Sequence, residues 1–221
     1  MQPHYTFHIE LQNLNKKLLS LTALVEDRVR KATSVIHSHD QVLIKQIILS
    51  DYEIDEMEIE IEEDCLKILA LHQPVASDLR FIIAVIKINS DLERIADIAV
   101  NIANRVQAIS KSPSKHLVKA VDFSAMSQTV ISMLRKSLDS LVHRDVAAAR
   151  SVFLEDDVVD SHKNQIYDEI KDIIRKHPEH PGALINTYLI ARHLERMADW
   201  TTNISEEVIY LVEGVISRTI S

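Results

Sequence analysis

Residues 92–97 read Leu-Glu-Arg-Ile-Ala-Asp, and residues 194–199 repeat this run as Leu-Glu-Arg-Met-Ala-Asp. Each copy holds a glutamate and an aspartate four residues apart, as the pairs Glu93/Asp97 and Glu195/Asp199. On a helix this spacing places both carboxylates on one face, with their Cβ atoms about 5–6 Å apart. Like charges at this spacing destabilise a helix slightly, so their repetition indicates that the chain uses the pair.

The composition is typical of long helices, because the 221 residues include only 2 glycines and aromatic residues make up 5%. The single cysteine, Cys65, excludes an internal disulfide framework and a cysteine-based zinc site. A net charge of -8 argues against nucleic-acid binding through a basic surface. Neither a signal peptide nor an apolar membrane span is predicted, so we expect a cytoplasmic protein.

The helical periodicity predicts six helices, at residues 5–37, 40–71, 76–110, 117–142, 145–177 and 182–217. Apolar residues recur in alternating steps of three and four, which is the seam pattern of coiled-coil-like packing. We therefore predict an all-α fold, an elongated six-helix bundle made of two three-helix repeats within one domain, 1–221. The predicted divisions are a first repeat at about 1–110, a linker at about 110–116 and a second repeat at about 117–221.

The second helix of each predicted repeat also carries an acidic pair with four-residue spacing, as Asp51/Asp55 and Asp156/Asp160. The first aspartate of each pair takes a seam position where an aliphatic residue is expected. Equivalent residues of the two repeats are 105 positions apart in the second helices, as for Asp51 and Asp156, and 102 positions apart in the third helices, as for Glu93 and Glu195. Adjacent antiparallel helices can bring the two pairs of one repeat together. An asparagine lies eight residues after each glutamate and continues the stripe, as Asn101 and Asn203.

Four carboxylates at close range must protonate, pair with arginine or bind cations. Oxygen-only ligand sets favour Mg²⁺, Ca²⁺ or Mn²⁺, and carboxylate-rich sets also hold iron. A ferritin-like di-iron centre needs Glu-x-x-His on two helices, whereas Ala96 and Ala198 take the histidine positions here. The predicted metal ligands are Asp51, Asp55, Glu93, Asp97, Asn101, Asp156, Asp160, Glu195, Asp199 and Asn203.

Two other functions stay open from these residues. The chain could be a carboxylate-bridged metal-dependent hydrolase or oxidase, since two-metal sites catalyse phosphoryl chemistry. It could also be a structural helical adaptor whose acidic stripes are solvated or paired with arginine. The carboxylates stand without a candidate nucleophile, a candidate base or a glycine-rich phosphate loop, so we predict no catalytic residues and no enzyme.

Residues 73–80 (Gln-Pro-Val-Ala-Ser-Asp-Leu-Arg), with residues 91–103 and 193–204, closely resemble the PhoU family of phosphate-signalling regulators. The resemblance covers nearly the whole chain. It implies a six-helix protein of two repeats whose acidic motifs bind metal clusters, with iron favoured and Zn, Mn, Mg or Ca left open. It also implies a negative regulator of phosphate uptake and phosphate homeostasis. The implied partners are a phosphate ABC transporter ATPase and a membrane sensor histidine kinase, which would hold the chain at the membrane periphery; a homodimer is left open.

Overall fold

The structure, a computed structural model, describes residues 3–118, 121–179 and 181–214, and that part of the chain is all-α as predicted. Eight helices lie within these described residues. Their bounds are α1 Pro3–Ser38, α2 Gln41–Leu49, α3 Tyr52–His72, α4 Ala76–Lys111, α5 Lys115–Val118, α6 Ser124–His143, α7 Val146–Lys176 and α8 Pro181–Glu213.

The prediction of one helix at 40–71 is wrong, because the chain breaks between α2 and α3 at Ser50 and Asp51. Arg28 on α1 contacts the chain at this break: its guanidinium donates to the Ser50 backbone carbonyl and to the Asp51 carboxylate. In the second repeat the residue that corresponds to Ser50 is Glu155. Its side chain pairs with Lys136 on α6, and α7 continues unbroken through this position.

The second helices of both repeats begin with the same N-cap. The carboxylate of Asp40 accepts hydrogen bonds from the backbone N–H groups two and three residues further on, and Asp145 does the same at α7. These bonds satisfy N–H groups that the first turn of a helix leaves unpaired. The two caps differ by 105 in residue number, which is the offset between Asp51 and Asp156.

The predicted helix at 117–142 begins later than expected, at Ser124. The segment before it, which includes the end of the predicted linker, contains the four-residue helix α5. The last helix, predicted to end at residue 217, ends at Glu213 among the described residues, and residues 215–217 lie outside them.

The predicted seams form the core. Leu14, Leu18, Leu21 and Val25 of α1 are buried, as are the seam residues of α4 from Ile82 onward. Helices α4 and α8 pack against each other at the centre of the bundle. Helices α1, α2 and α3 pack on α4, whereas α6 and α7 pack on α8. Each repeat thus presents its second helix beside its third, which is the arrangement that the acidic pairs require.

Candidate metal centres

The first acidic cluster lies where the start of α3 meets the middle of α4. We name it the first nest and define it by Asp51, Asp55, Glu93 and Asp97. Asp51 precedes α3, and Asp55 lies in the first turn of that helix. Asp51, Asp55 and Asp97 can each place a carboxylate oxygen within 4.8 Å of the others. Asp55 and Asp97 are exposed, so a cation can reach the nest from solvent.

Three carboxylates of the first nest have raised pKa values. Burial raises the pKa of Glu93 to about 6, and the negative charges of Asp97 and of two further carboxylates on α3 add to this effect. Burial also raises the pKa values of Asp51 and Asp97, with repulsion from Asp55 adding to both. Such mutual repulsion is relieved when a cation binds, because the positive charge favours the ionised form of every member.

One positively charged side chain, that of Arg28, lies at the first nest. Arg28, which is only 6% exposed, donates to the Asp51 carboxylate over 2.8 Å and also contacts the Ser50 hydroxyl over 3.2 Å. Its charge opposes the upward pKa shifts of Asp51 and Asp97. The sequence prediction missed Arg28. A signal was available, because Arg28 follows Val25 at the next seam position of α1, where an apolar residue is expected.

The second nest consists of Asp156, Asp160, Glu195 and Asp199, on α7 and α8. Burial raises the pKa of Asp156 to about 6, and the charges of Asp199, Asp160 and other carboxylates add to the shift. Burial likewise raises the pKa of Asp199, with Glu195 and Asp160 adding to it. Lys163 contacts both Asp160 on α7 and Glu195 on α8, so the two acidic pairs of the second repeat lie side by side. Among the described residues, however, only Asp51, Asp55 and Asp97 of the first nest bring three ligand oxygens within 4.8 Å of one another.

The nests differ at one equivalent position, Glu58 in α3 and Lys163 in α7. The ammonium of Lys163 donates to Asp160 over 2.7 Å and to Glu195 over 2.9 Å. Glu58 adds a fifth negative charge beside the first nest and helps to raise the pKa of Glu93. The first nest therefore has an excess of negative charge, whereas Lys163 occupies part of the second nest. The seam register placed both residues beside the acidic pairs but did not reveal this contrast.

The two asparagines that the sequence predicts as ligands are not among the described residues that the structure brings together in the nests. Asn101 is exposed on α4, and Asn203 lines a groove between α4 and α8. Among the described residues the structure records no contact of either amide with a nest, and their role as ligands stays a prediction. Ala96 and Ala198, which take the places of ferritin-like histidines, are buried in the core. The donors at both nests are therefore carboxylate oxygens, which suit hard cations and iron.

A sequence model of the PhoU domain matches residues 18–106 and again residues 123–208. The chain belongs to the PhoU family. It is 35% identical over 209 residues to the phosphate-specific transport system accessory protein PhoU homolog of Aquifex aeolicus, covering 95% of this chain and 94% of the relative.

Two solved PhoU structures share its fold. The crystal structure of PhoU from Pseudomonas aeruginosa has a TM-score of 0.86 and 34% identity, covering 95% of this chain and 100% of that one. The phosphate transport system regulatory protein PhoU from Streptococcus pneumoniae has a TM-score of 0.84 and 30% identity, with coverages of 95% and 98%. These PhoU relatives are named as accessory and regulatory proteins rather than enzymes, in agreement with the non-enzymatic prediction. None of the described helices combines the length and the apolar character that a membrane span requires.

Proposed function

We propose that this PhoU-family chain is a regulator accessory to a phosphate-specific transport system. Its relatives carry that role in their names. Within it, we assign the chain to the cytoplasm as a negative regulator that couples a phosphate ABC transporter ATPase to a sensor histidine kinase when phosphate is plentiful. Long exposed helices without a catalytic constellation beyond the carboxylates suit a protein that acts by contacting partners.

Metal binding by the nests is the second part of the proposal, and one observation carries it. Carboxylate oxygens of Asp51, Asp55 and Asp97 can converge within 4.8 Å from two different helices. A cation held there would neutralise groups that repel one another and would tie the start of α3 to α4. We favour iron, with Zn, Mn, Mg and Ca as competitors to be compared directly.

The two nests should differ in affinity. In the second nest, the single positive charge of Lys163 is shared between Asp160 and Glu195, and a metal must displace its ammonium. In the first nest, Arg28 contacts Asp51 from one side, and its ion pair does not extend to Asp55 or Asp97. We therefore expect the first nest to bind the metal more tightly.

Metal content and thermal stability test this part of the proposal. The full chain is purified without chelator, its metals are measured, and its melting temperature is recorded before and after addition of Fe²⁺, Mn²⁺, Zn²⁺ or Mg²⁺. A ligand at about 100 times its dissociation constant stabilises the folded state by about 2.7 kcal/mol, which raises the melting temperature of a chain this size by about 5–10 °C. Absence of bound metal together with an unchanged melting temperature would overturn metal binding.

The equivalent variants Asp97→Asn and Asp199→Asn form a matched pair for the same assay. We expect Asp97→Asn to remove most of the metal-dependent stabilisation and Asp199→Asn to remove less, because Lys163 already weakens the second nest. Equal losses, or a larger loss from Asp199→Asn, would contradict the assigned order. Sedimentation of these samples with and without metal reports whether the chain forms a homodimer.

The regulatory part of the proposal is tested in a bacterial host that lacks its own PhoU-family protein. We expect the wild-type chain to silence a phosphate-starvation reporter at high phosphate, and to co-purify with the transporter ATPase and the sensor kinase. Asp97→Asn should leave the reporter partly active. If the wild-type chain does not change reporter activity and neither partner co-purifies with it, the regulatory role is contradicted. The metal measurements remain valid in that case.

A further inference from the structure

Helix α3 carries a row of exposed apolar side chains at Tyr52, Ile59 and Leu66. Each is more than half exposed, at 58%, 53% and 55%. Single exposed apolar residues are common on protein surfaces, but these three are spaced by seven residues. Seven residues fall about 20° short of two full helical turns, so the side chains lie almost in line along the helix. We name them the exposed row, which is about 21 Å long because a helix rises by about 1.5 Å per residue.

The opposite face of α3 is the one that joins the core. Its seam residues Ile54, Ile61 and Cys65 are at most 1% exposed, and α3 packs on α1 and α4. One apolar stripe is enough to hold a surface helix on its core. Helix α3 therefore has a second apolar stripe, and it faces solvent within the described part of the chain.

The equivalent helix of the second repeat does not keep this second stripe. Both helices bury their inner face, since Ile61 and its counterpart Ile166 are at most 4% exposed. At the offset of 105, the three positions of the exposed row are occupied in α7 by polar or charged residues, which are Asp157, Asn164 and Lys171. The shared fold thus requires the inner face of each helix but not the exposed row. Aligned apolar residues that the fold does not require indicate contact with another molecule.

Glutamates border the exposed row on both sides. Glu56 and Glu63 follow Tyr52 and Ile59 by four residues, which turns them about 40° to one side. Glu62 follows Ile59 by three residues, which turns it about 60° to the other side. All three glutamates are exposed, and the ion pairs among the described residues include none of them. Helix α3 as a whole has eight acidic residues against one lysine, so a ligand for this face must combine apolar groups with positive charge.

The exposed row begins in a groove where α1, α2 and α3 meet. The groove has a volume of about 550 Å³, and Leu24, Leu49 and Tyr52 supply apolar side chains to it. All three are exposed, so the groove is open to solvent. A groove of this kind can hold a large apolar side chain, which is how an anchor residue of a partner is bound at many interfaces.

We propose that the exposed row binds an amphipathic helix of a partner protein, with apolar residues along one face and lysine or arginine beside them. Such a helix, laid along α3, places its apolar residues against Tyr52, Ile59 and Leu66 and its cations beside the flanking glutamates. A second copy of this chain would bring glutamates against glutamates, and an anionic lipid surface would be repelled by the same charges. The proposal rests on the regulatory role proposed above, to which it adds a surface and the chemistry of the partner.

Fluorescence anisotropy of a synthetic peptide titrated with the full chain tests this surface at physiological ionic strength. The probe is a peptide of about 21 residues, or three heptads, with leucines on one face and lysines on the other. We expect saturable binding that weakens about fivefold in Ile59→Asn and in Leu66→Asn, since each change removes about half of an aliphatic side chain from the interface. The matched control is Leu154→Asn, which removes an exposed leucine of α7 and should bind the peptide like the wild type.

A second peptide, with glutamates in place of the lysines, tests the charge of the partner. It should bind at least about tenfold more weakly than the lysine peptide, because its charges repel the flanking glutamates. Equal binding of the two peptides, unchanged affinity in both row variants, or absence of binding by the lysine peptide would overturn the proposal. Sedimentation that shows a wild-type dimer, dissociated by Ile59→Asn, would also overturn it, because a second copy would then cover the row.

Co-purification in the bacterial host separates this surface from the regulatory role itself. A double variant with Ile59→Asn and Leu66→Asn should lose at least one partner that the wild type retains. Its metal-dependent stabilisation should be unchanged, because neither residue belongs to a nest. Partners retained equally by the double variant and the wild type would overturn the docking surface and leave the regulatory role intact. If the wild type retains neither partner, the regulatory role is contradicted, and the peptide titration alone decides the surface.

Discussion

The same substitution at equivalent positions of the two repeats should change stability in opposite directions. The pair is Glu93→Gln in the first nest and Glu195→Gln in the second. Glu93 is surrounded by negative charges, including that of Glu58, whereas Glu195 accepts a hydrogen bond from Lys163 over 2.9 Å. Glutamine keeps the size of the side chain and removes its charge, so the difference measures electrostatics.

The expected size follows from the pKa of Glu93, which burial and neighbouring carboxylates raise from 4.5 to about 6. By linkage this shift corresponds to about 2 kcal/mol, which we reduce to about 1 kcal/mol because the side chain is partly exposed. A carboxyl with a raised pKa favours the folded state fully below pH 4.5, and that contribution is lost as the pH rises through about 6. At pH 8 without metal, Glu93→Gln should therefore be more stable than the wild type by about 1 kcal/mol, and at pH 4 the two should be equal.

Urea denaturation of the metal-free proteins, followed by circular dichroism at pH 4 and pH 8, measures both variants. Glu195→Gln loses a partly buried ion pair, and we expect its free energy of unfolding at pH 8 to lie between that of the wild type and about 1 kcal/mol below it. The reasoning is refuted if Glu93→Gln shows no gain at pH 8, or if Glu195→Gln gains as much. Added metal should reverse the order, because Glu93→Gln removes a ligand.

Three further predictions concern residues outside the four acidic pairs. Arg28→Met leaves Asp51 without its buried partner and should lower the free energy of unfolding by about 2 kcal/mol, since Asp51 is partly exposed; urea midpoints that match the wild type would contradict this. Asp145→Ala removes the N-cap of α7 and should cost about 1 kcal/mol in the same assay, whereas Asp157→Ala, an exposed aspartate within that helix, should change stability less. Burial raises the pKa of the Cys65 thiol to about 12, so iodoacetamide at pH 8 should modify it only as fast as the protein unfolds; rapid labelling under native conditions would be inconsistent with this.

Burial and duplication were predictable because they depend on periodicity. The steps of three and four identified the buried seams, and the offset of 105 in residue number was enough to match Asp51 to Asp156. The break after α2 was not predictable from local sequence, because neither proline nor glycine stands there. At the break, Ser50 accepts a hydrogen bond from Arg28, which is more than twenty residues away and therefore invisible to a local reading.

The asparagines show a second limit of predicting site residues from helical periodicity. Four residues turn a helix by about 40° beyond one full turn, whereas eight residues turn it by about 80° beyond two. A stripe drawn through Glu195 and Asp199 therefore drifts round the helix by the time it reaches Asn203, which lines the groove beside α4. The contacts of a charged side chain are equally hard to predict: the sequence shows that Lys163 is a lysine, but its contact with Glu195 depends on how α7 packs against α8.

The exchange of Glu58 for Lys163 has a consequence for how such a chain can evolve. Two identical three-helix chains that paired as a symmetric dimer would carry the same residue at both positions, and every mutation would alter both sites at once. Joining the halves in one polypeptide removes this constraint. Each repeat can then change independently, so that one can be selected for cation binding and the other for stability without a cation. The two repeats then differ chemically, and a partner protein can distinguish one from the other.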